Sequence, residues 1–331
     1  MWVGALLQGG WVKNATVRIG NAASATTNAK GKATLELSEF GTLPIVVEAS
    51  GFHRSESEID VSQSGTTSGQ RNIIPDHTWF DLNFYDHVFR DKNTRGTRRW
   101  ASRPTVEIWT TKFDCIEVSS NGHTCDRYKA TGESAPSSHK SNVRSVFAND
   151  VSGITNGYLK GLNIRTKSHA AGTIIERNAC NQAKDTIIAV AVDLTDTIYS
   201  GFASYCTYSN GKRYASLIHT TPGKSIGLYR HEVAHTLGWR HPDGYSNVPL
   251  ASIMGSSSNA MTRWDKRHGK ILYIRPPGNR SPDKDPAGSN VNLLTPRGVL
   301  PRPGTAPSGQ EWSLQSNRPS FQGPLIAEGD H

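Results

Sequence analysis

Between Thr221 and His241 the chain sets three histidines and a glutamate at spacings that suit a metal: His231, Glu232, His235 and His241, with Gly238 before the last. Histidines four residues apart on a helix lie one turn apart on the same side, close enough to share an ion. Gly238 can adopt positive φ without a Cβ clash, so it should stop the helix and turn His241 back toward that ion. Three neutral imidazoles with one open position are the donor set of a catalytic zinc site. Glu232 is offset from the two helical ligands and suits a base that touches a metal-bound water. Such a centre meets the needs of peptide-bond hydrolysis: a nucleophile at neutral pH, a polarised carbonyl, and a carboxylate that carries the proton to the leaving amine.

Several elements must hold this group in place. Ile226, Val233 and Leu237 fall on one stripe of the helix, roughly opposite the two histidines, and should face a core. Thr221 is the expected N-cap, with Pro222 at the first helical position. Phe202 to Tyr208 and Arg213 to His219 read as a hairpin around Asn210-Gly211, a preferred two-residue turn. Asp185 to Asp193 is a nearly continuous apolar run, as in a central strand. Pro104 to Thr111 reads as another strand, and His139 to Ile154 as a weaker helix.

The string His231-Glu232-Val233-Ala234-His235-Thr236-Leu237-Gly238-Trp239-Arg240-His241 resembles the extended zinc signature of the metzincin metallopeptidases at all five of its fixed positions. Ser252-Ile253-Met254-Gly255 follows where that family has its methionine turn. The resemblance implies an α+β catalytic domain, with a mixed twisted sheet and an active-site helix. It implies Zn2+ on His231, His235 and His241, Glu232 as general base, Met254 as the hydrophobic floor, and endopeptidase activity on a protein or peptide substrate. It also implies an edge strand that pairs with extended substrate, and Gly201, Phe202 and Ala203 occupy the expected place for it. Two departures leave the branch of the family unassigned: Pro242 follows the third histidine, and Ser256 stands where some branches have a zinc-binding tyrosine. Tyr245, Tyr273 and His268 are candidates to stabilise an oxyanion, with a structural role as the alternative for each. No cysteine precedes Cys115, so latency through a cysteine on the zinc is not expected from this sequence.

The chain has 331 residues and a net charge of +9, and the charge divides it. Residues 1–70 carry a net −1, residues 71–275 a net +10 and residues 276–331 a net 0. The first part alternates as strands do: Ala15 to Ile19, Ala33 to Leu37, Pro44 to Ala49 and Ser57 to Val61. Its runs Asn14 to Ile19, Thr27 to Gly31 and Val46 to Phe52 resemble the carboxypeptidase-regulatory, prealbumin-like β-sandwich modules. The expected organisation is a small all-β sandwich at 1–62, a linker at 63–75, the zinc domain at 76–275 and an extended or disordered tail at 276–331. The tail holds 10 of the 17 prolines and few apolar residues, too few to offset its ordering entropy.

Four cysteines, Cys115, Cys125, Cys180 and Cys206, allow three disulfide pairings. Cys115–Cys125, which closes a local loop, with Cys180–Cys206 is the favoured set. The even number and the resemblance imply a secreted protein. The opening Met1 to Leu7 run lacks a basic start and is too short for an export signal. No apolar run is long enough to span a membrane, and a monomer is expected. Asp283 and Asp285 are candidates for a structural Ca2+. Arg90, Lys92, Arg95, Arg98, Arg99 and Arg103 surround Trp100 and raise the alternative of a catalytically inactive, zinc-stabilised adhesion module that binds nucleic acid or another polyanion.

Overall fold

A computed structural model describes residues 1–6, 10–21, 23–90, 96–242, 245, 252–255, 260–279 and 328–329. The first strands are β1 (Trp2–Ala5), β2 (Thr16–Ile19), β3 (Ala23–Thr26), β4 (Gly41–Glu48), β5 (Ser55–Val61) and β6 (Gln70–Ile73). Four of them form an antiparallel sheet in the order β3-β2-β4-β5, while β1 pairs in parallel with β6. Residues from both sheets, among them Val3, Val17, Ile45, Val47 and Ile73, meet in one apolar cluster. Alternation drives this: in β4, Leu43, Ile45 and Val47 are buried and their neighbours are not.

The run Ala33 to Leu37 alternates in burial as expected, yet it forms no strand; Ala23–Thr26 takes the place beside β2 instead. Alternation reports which side faces the core. A ladder also needs a neighbouring backbone, and here only Lys32 bridges to Trp2, with the Ala33 N–H donating to the Met1 carbonyl at 2.9 Å.

The rest of the chain is mixed. Its elements are α1 (Leu82–Arg90), β7 (Arg99–Trp100), β8 (Thr105–Val118), β9 (Cys125–Ser134), α2 (Ser137–Asn149), α3 (Val151–Ile154), β10 (Ile164–Lys167), β11 (Ile174–Glu176), β12 (Thr186–Asp193), β13 (Gly201–Thr207), β14 (Lys212–Thr220), α4 (Ile226–Leu237), α5 (Arg263–Ile274) and β15 (Glu328–Gly329). The fold is thus α+β. One sheet runs β11-β9-β8-β12-β14-β13-β15, with β10 also on β8 and β7 on β14. The central strand β12 is parallel to β8 and to β14; β13 returns antiparallel to β14.

Strand β12 shows why the sheet is central. Ile187 and Ala189 point into a cluster shared with all five helices, while Ile188, Val190 and Val192 point into a second cluster on the opposite face. A strand buried on both faces needs a continuous apolar run, which is what its sequence carries. Strand β8 runs well past the expected Thr111, because β9 pairs with its second half. The two parts of the chain are joined by packing as well as by sequence. Leu6 and Ile74 enter the helix-side core, and Arg275 Nη2 donates to the Asn72 carbonyl at 3.1 Å.

Two disulfides are present, Cys115–Cys125 and Cys180–Cys206, the set favoured from spacing. The first ties the long β8–β9 hairpin; the second fixes the Ala179–Asn181 turn to β13. They fit an oxidising compartment. Among the described residues no helix is long and apolar enough to cross a membrane.

Candidate metal centre

Strand β14 delivers the chain to α4, and the start of that helix differs from expectation. Thr221 donates its N–H to Ser200 at 2.8 Å and Gly223 turns at φ +84°. A left-handed residue cannot sit in the first helical turn, so the helix starts at Ile226, with Ser225 in extended conformation as its N-cap. Tyr229, Val233, Ala234 and Leu237 enter the core, as the apolar stripe requires. The histidine face is covered too: His231 is 6 % exposed, and His235 and Glu232 are fully buried.

The end of α4 is fully accounted for. Gly238 takes φ +122°, and a Cβ there would collide with the Arg98 carbonyl, so two independent constraints require glycine. A buried helix end must find partners for its last carbonyls. The Ala234 carbonyl accepts from Trp239 N–H (3.1 Å), and the His235 carbonyl from Gly238 N–H (3.2 Å) and from Arg213 Nη1. The Thr236 carbonyl accepts from Trp100 Nε1 (2.9 Å), and the Leu237 carbonyl from the Tyr273 hydroxyl (3.0 Å). Arg213 also sets its charge at the negative end of the helix dipole.

This framing brings His231, His235 and His241 together. Their ring centroids lie 4.6, 4.8 and 5.1 Å apart, and one nitrogen from each falls within 4.8 Å of the others. His231 Nε2 and His235 Nε2 are 3.0 Å apart. Their other nitrogens are committed. His231 Nδ1 donates to the Ile253 carbonyl at 2.8 Å and His235 Nδ1 to the Trp239 carbonyl at 3.1 Å. A carbonyl can only accept, so both rings carry their proton on Nδ1 and leave Nε2 as a ligand atom. Burial, then the two neighbouring imidazoles, hold His235 well below the ordinary histidine pKa and keep it neutral. An all-nitrogen triad with this tautomer fits a metal such as zinc. His241 is only half-buried.

Glu232 lies against β13. A Cβ at Gly201 would come within 3.2 Å of Glu232 Oε1 and 3.1 Å of Leu228, so the missing side chain lets the carboxylate approach the strand. Gly201, Phe202 and Ala203 pair on one side with β14; on the other, Phe202 and Ala203 pair with Gly329 and Glu328 of β15. Of the expected tail, residues 276–279 and the two-residue strand β15 are described; Asp283 and Asp285 lie outside the described residues.

Met254 is buried in the turn Ser252–Gly255, and the carbonyl just before it is the one that accepts from His231. Each of the three oxyanion candidates has another partner. Tyr273 is engaged with Leu237. His268 is buried beneath Phe80 and Phe84 and bonds the Asp81 backbone. The Tyr245 hydroxyl donates to Asp81 Oδ2 at 2.9 Å, and burial, then the Asp81 contact, push it up to about 12. The arginine cluster does not share one surface. Arg90 is buried and paired with Asp86. Arg99 is enclosed by the rings of Tyr158 and Tyr273 and donates to the Arg275 and Trp100 carbonyls. Lys92 and Arg95 lie outside the described residues.

Sequence reasoning missed Arg213, Trp100 and Asp265, which brace the centre from other elements. Only Asp265 left a local sign: Thr262 and Asp265 have capping-box spacing at the start of α5. No protein-family model matches the chain, and no curated protein matches its sequence.

Proposed function

We propose that the chain is a secreted zinc endopeptidase of the metzincin type. The observation that carries this reading is the convergence of His231, His235 and His241, the first two with Nε2 turned inward on the helix that also presents Glu232 to β13. The strand order supports it: a central parallel strand, an antiparallel outer strand, and a histidine helix directly after the strand between them.

Zinc bound by the three imidazoles supplies an acidified water and a Lewis acid for the scissile carbonyl. Glu232 takes the proton from the attacking water and returns it to the departing amide nitrogen. Its burial keeps bulk water from competing for that proton. The backbone of Phe202 and Ala203 aligns an extended substrate by strand pairing, and such a substrate must replace Glu328–Gly329 there. Two disulfides suit an export route. Against the polyanion-binding alternative, two of its six basic side chains, Arg90 and Arg99, are turned inward.

The test is digestion of casein by the full-length chain. Cleavage that a chelator stops and Zn2+ restores, and that Glu232→Ala removes with zinc still bound, is the expected result. A zinc-loaded chain that leaves casein and a proteome-derived peptide library intact sinks the reading in favour of the inactive module.

A further inference from the structure

Asp265, on the first turn of α5, is fully buried. Its carboxylate accepts from donors: the Ser252 hydroxyl (2.8 Å) and Ile253 N–H (3.1 Å) on Oδ1, and the Thr262 N–H (2.9 Å) and hydroxyl (2.8 Å) on Oδ2. An acceptor-only arrangement matches the ionised form. Burial pulls Asp265 the other way, toward a raised pKa, and these donors oppose that pull.

The contacts continue beyond the carboxylate. Ser252 Oγ accepts from the Met254 N–H at 3.2 Å. That N–H belongs to the same peptide group as the Ile253 carbonyl, and the carbonyl accepts from His231 Nδ1 at 2.8 Å. The path therefore runs unbroken from carboxylate to hydroxyl, peptide group, imidazole and the inward-facing Nε2. Hydrogen bonds in series polarise one another. Negative charge at the far end makes Ser252 Oγ a better acceptor, then the Ile253 carbonyl, and so shifts electron density onto His231 Nε2. A metal-binding histidine that donates directly to a carboxylate gains basicity and a fixed ring in the same way.

We propose that Asp265 is a positioning residue for the metal, acting on His231 through the Ser252 hydroxyl and the Ile253–Met254 peptide group. This rests on the reading of the three histidines as a zinc site and adds the group that tunes one ligand. His235, whose Nδ1 donates to Trp239 on another path, serves as the internal reference.

The experiment uses the full-length chain and Zn2+ itself. Ser252→Ala removes the relay hydroxyl but leaves Asp265 its bonds to Ile253 and Thr262. Its zinc affinity, read by competition with a chromophoric chelator, is expected to fall about tenfold or more. The Nδ1 proton resonance of His231 should move upfield while that of His235 stays, and Ser252→Thr should restore both. Asp265→Asn should lose more affinity and also melt earlier, since it caps α5. If both Ser252→Ala and Asp265→Asn hold zinc as tightly as the unsubstituted chain, with the His231 resonance unmoved, Asp265 is a helix cap and the relay is wrong. If the unsubstituted chain takes up no zinc, the zinc-site reading itself has failed, and the relay falls with it. The two failures are read from different samples.

Discussion

The two parts of this chain fill their interiors in opposite ways. Within residues 1–62 the buried polar side chains are Thr27 and Ser55, and the described charged side chains are not buried. Its ion pairs, Arg18 and Arg54 with Glu48 and Arg54 with Glu56, lie on the surface. The histidine-bearing part buries His139, His219, His231, Glu232, His235, Asp265, His268, Arg99, Arg213 and Arg275. Apolar burial alone is enough to hold a small β module together. Burying ionisable groups works against stability unless each is neutral or matched. A concentration of them around one helix is therefore a sign of a site, and the contrast predicts how the two parts respond to damage.

Acid should separate them most. Burial, the leading cause in each case, lowers the pKa of His139 to about 4, of His219 to about 3 and of His268 to about 4. The unfolded chain binds those protons from about pH 6.5 downward and the native chain does not. Stability is fully present above that pH and is lost as pH falls toward 4, by roughly 3 kcal/mol for each histidine as an upper bound. The N-terminal module buries no described histidine and should keep its strands. Amide exchange across pH 7 to 4 checks this; equal loss of protection in both parts would break the comparison.

Glu232→Gln comes next. It keeps the shape of the side chain and removes the base, so turnover should fall about 10²- to 10⁴-fold with zinc content unchanged. Ile45→Ala, in the module core, should cost about 2–5 kcal/mol of that module's stability and leave zinc affinity alone. A drop in zinc binding would show that the parts are coupled through the Leu6, Ile74 and Asn72 contacts. The smallest effect is expected from deleting residues 328–331, which frees the outer edge of β13. Substrate KM should fall a few-fold with kcat unchanged; an unchanged KM would show that this pairing does not compete with substrate.

The legible parts of the sequence were those in which the chemistry is local. His231, Glu232 and His235 share one helix, and Gly238 ends it, so spacing alone predicted their grouping. The β13–β14 hairpin was written in Asn210-Gly211, and β12 in its apolar run. The readings that failed depended on a neighbour. Ala33 to Leu37 has strand alternation but lacks the adjacent backbone to pair with. Thr221-Pro222 has the chemistry of a helix start, but Gly223 uses its freedom to turn first.

Sequence by itself therefore determined the donor set, the helix that carries it and the apolar run of the central strand, because periodicity and residue type act over a few positions. Only the tertiary structure decided what braces that donor set. Arg213 reaches the end of α4 from β14, Trp100 from β7 and Tyr273 from α5. Asp265 is linked to His231 through the turn at Ser252–Met254, and Gly201 makes room for Glu232. Those partners satisfy buried carbonyls and imidazoles that have no local partner, and such a demand is met by whatever the packed chain brings within hydrogen-bond distance.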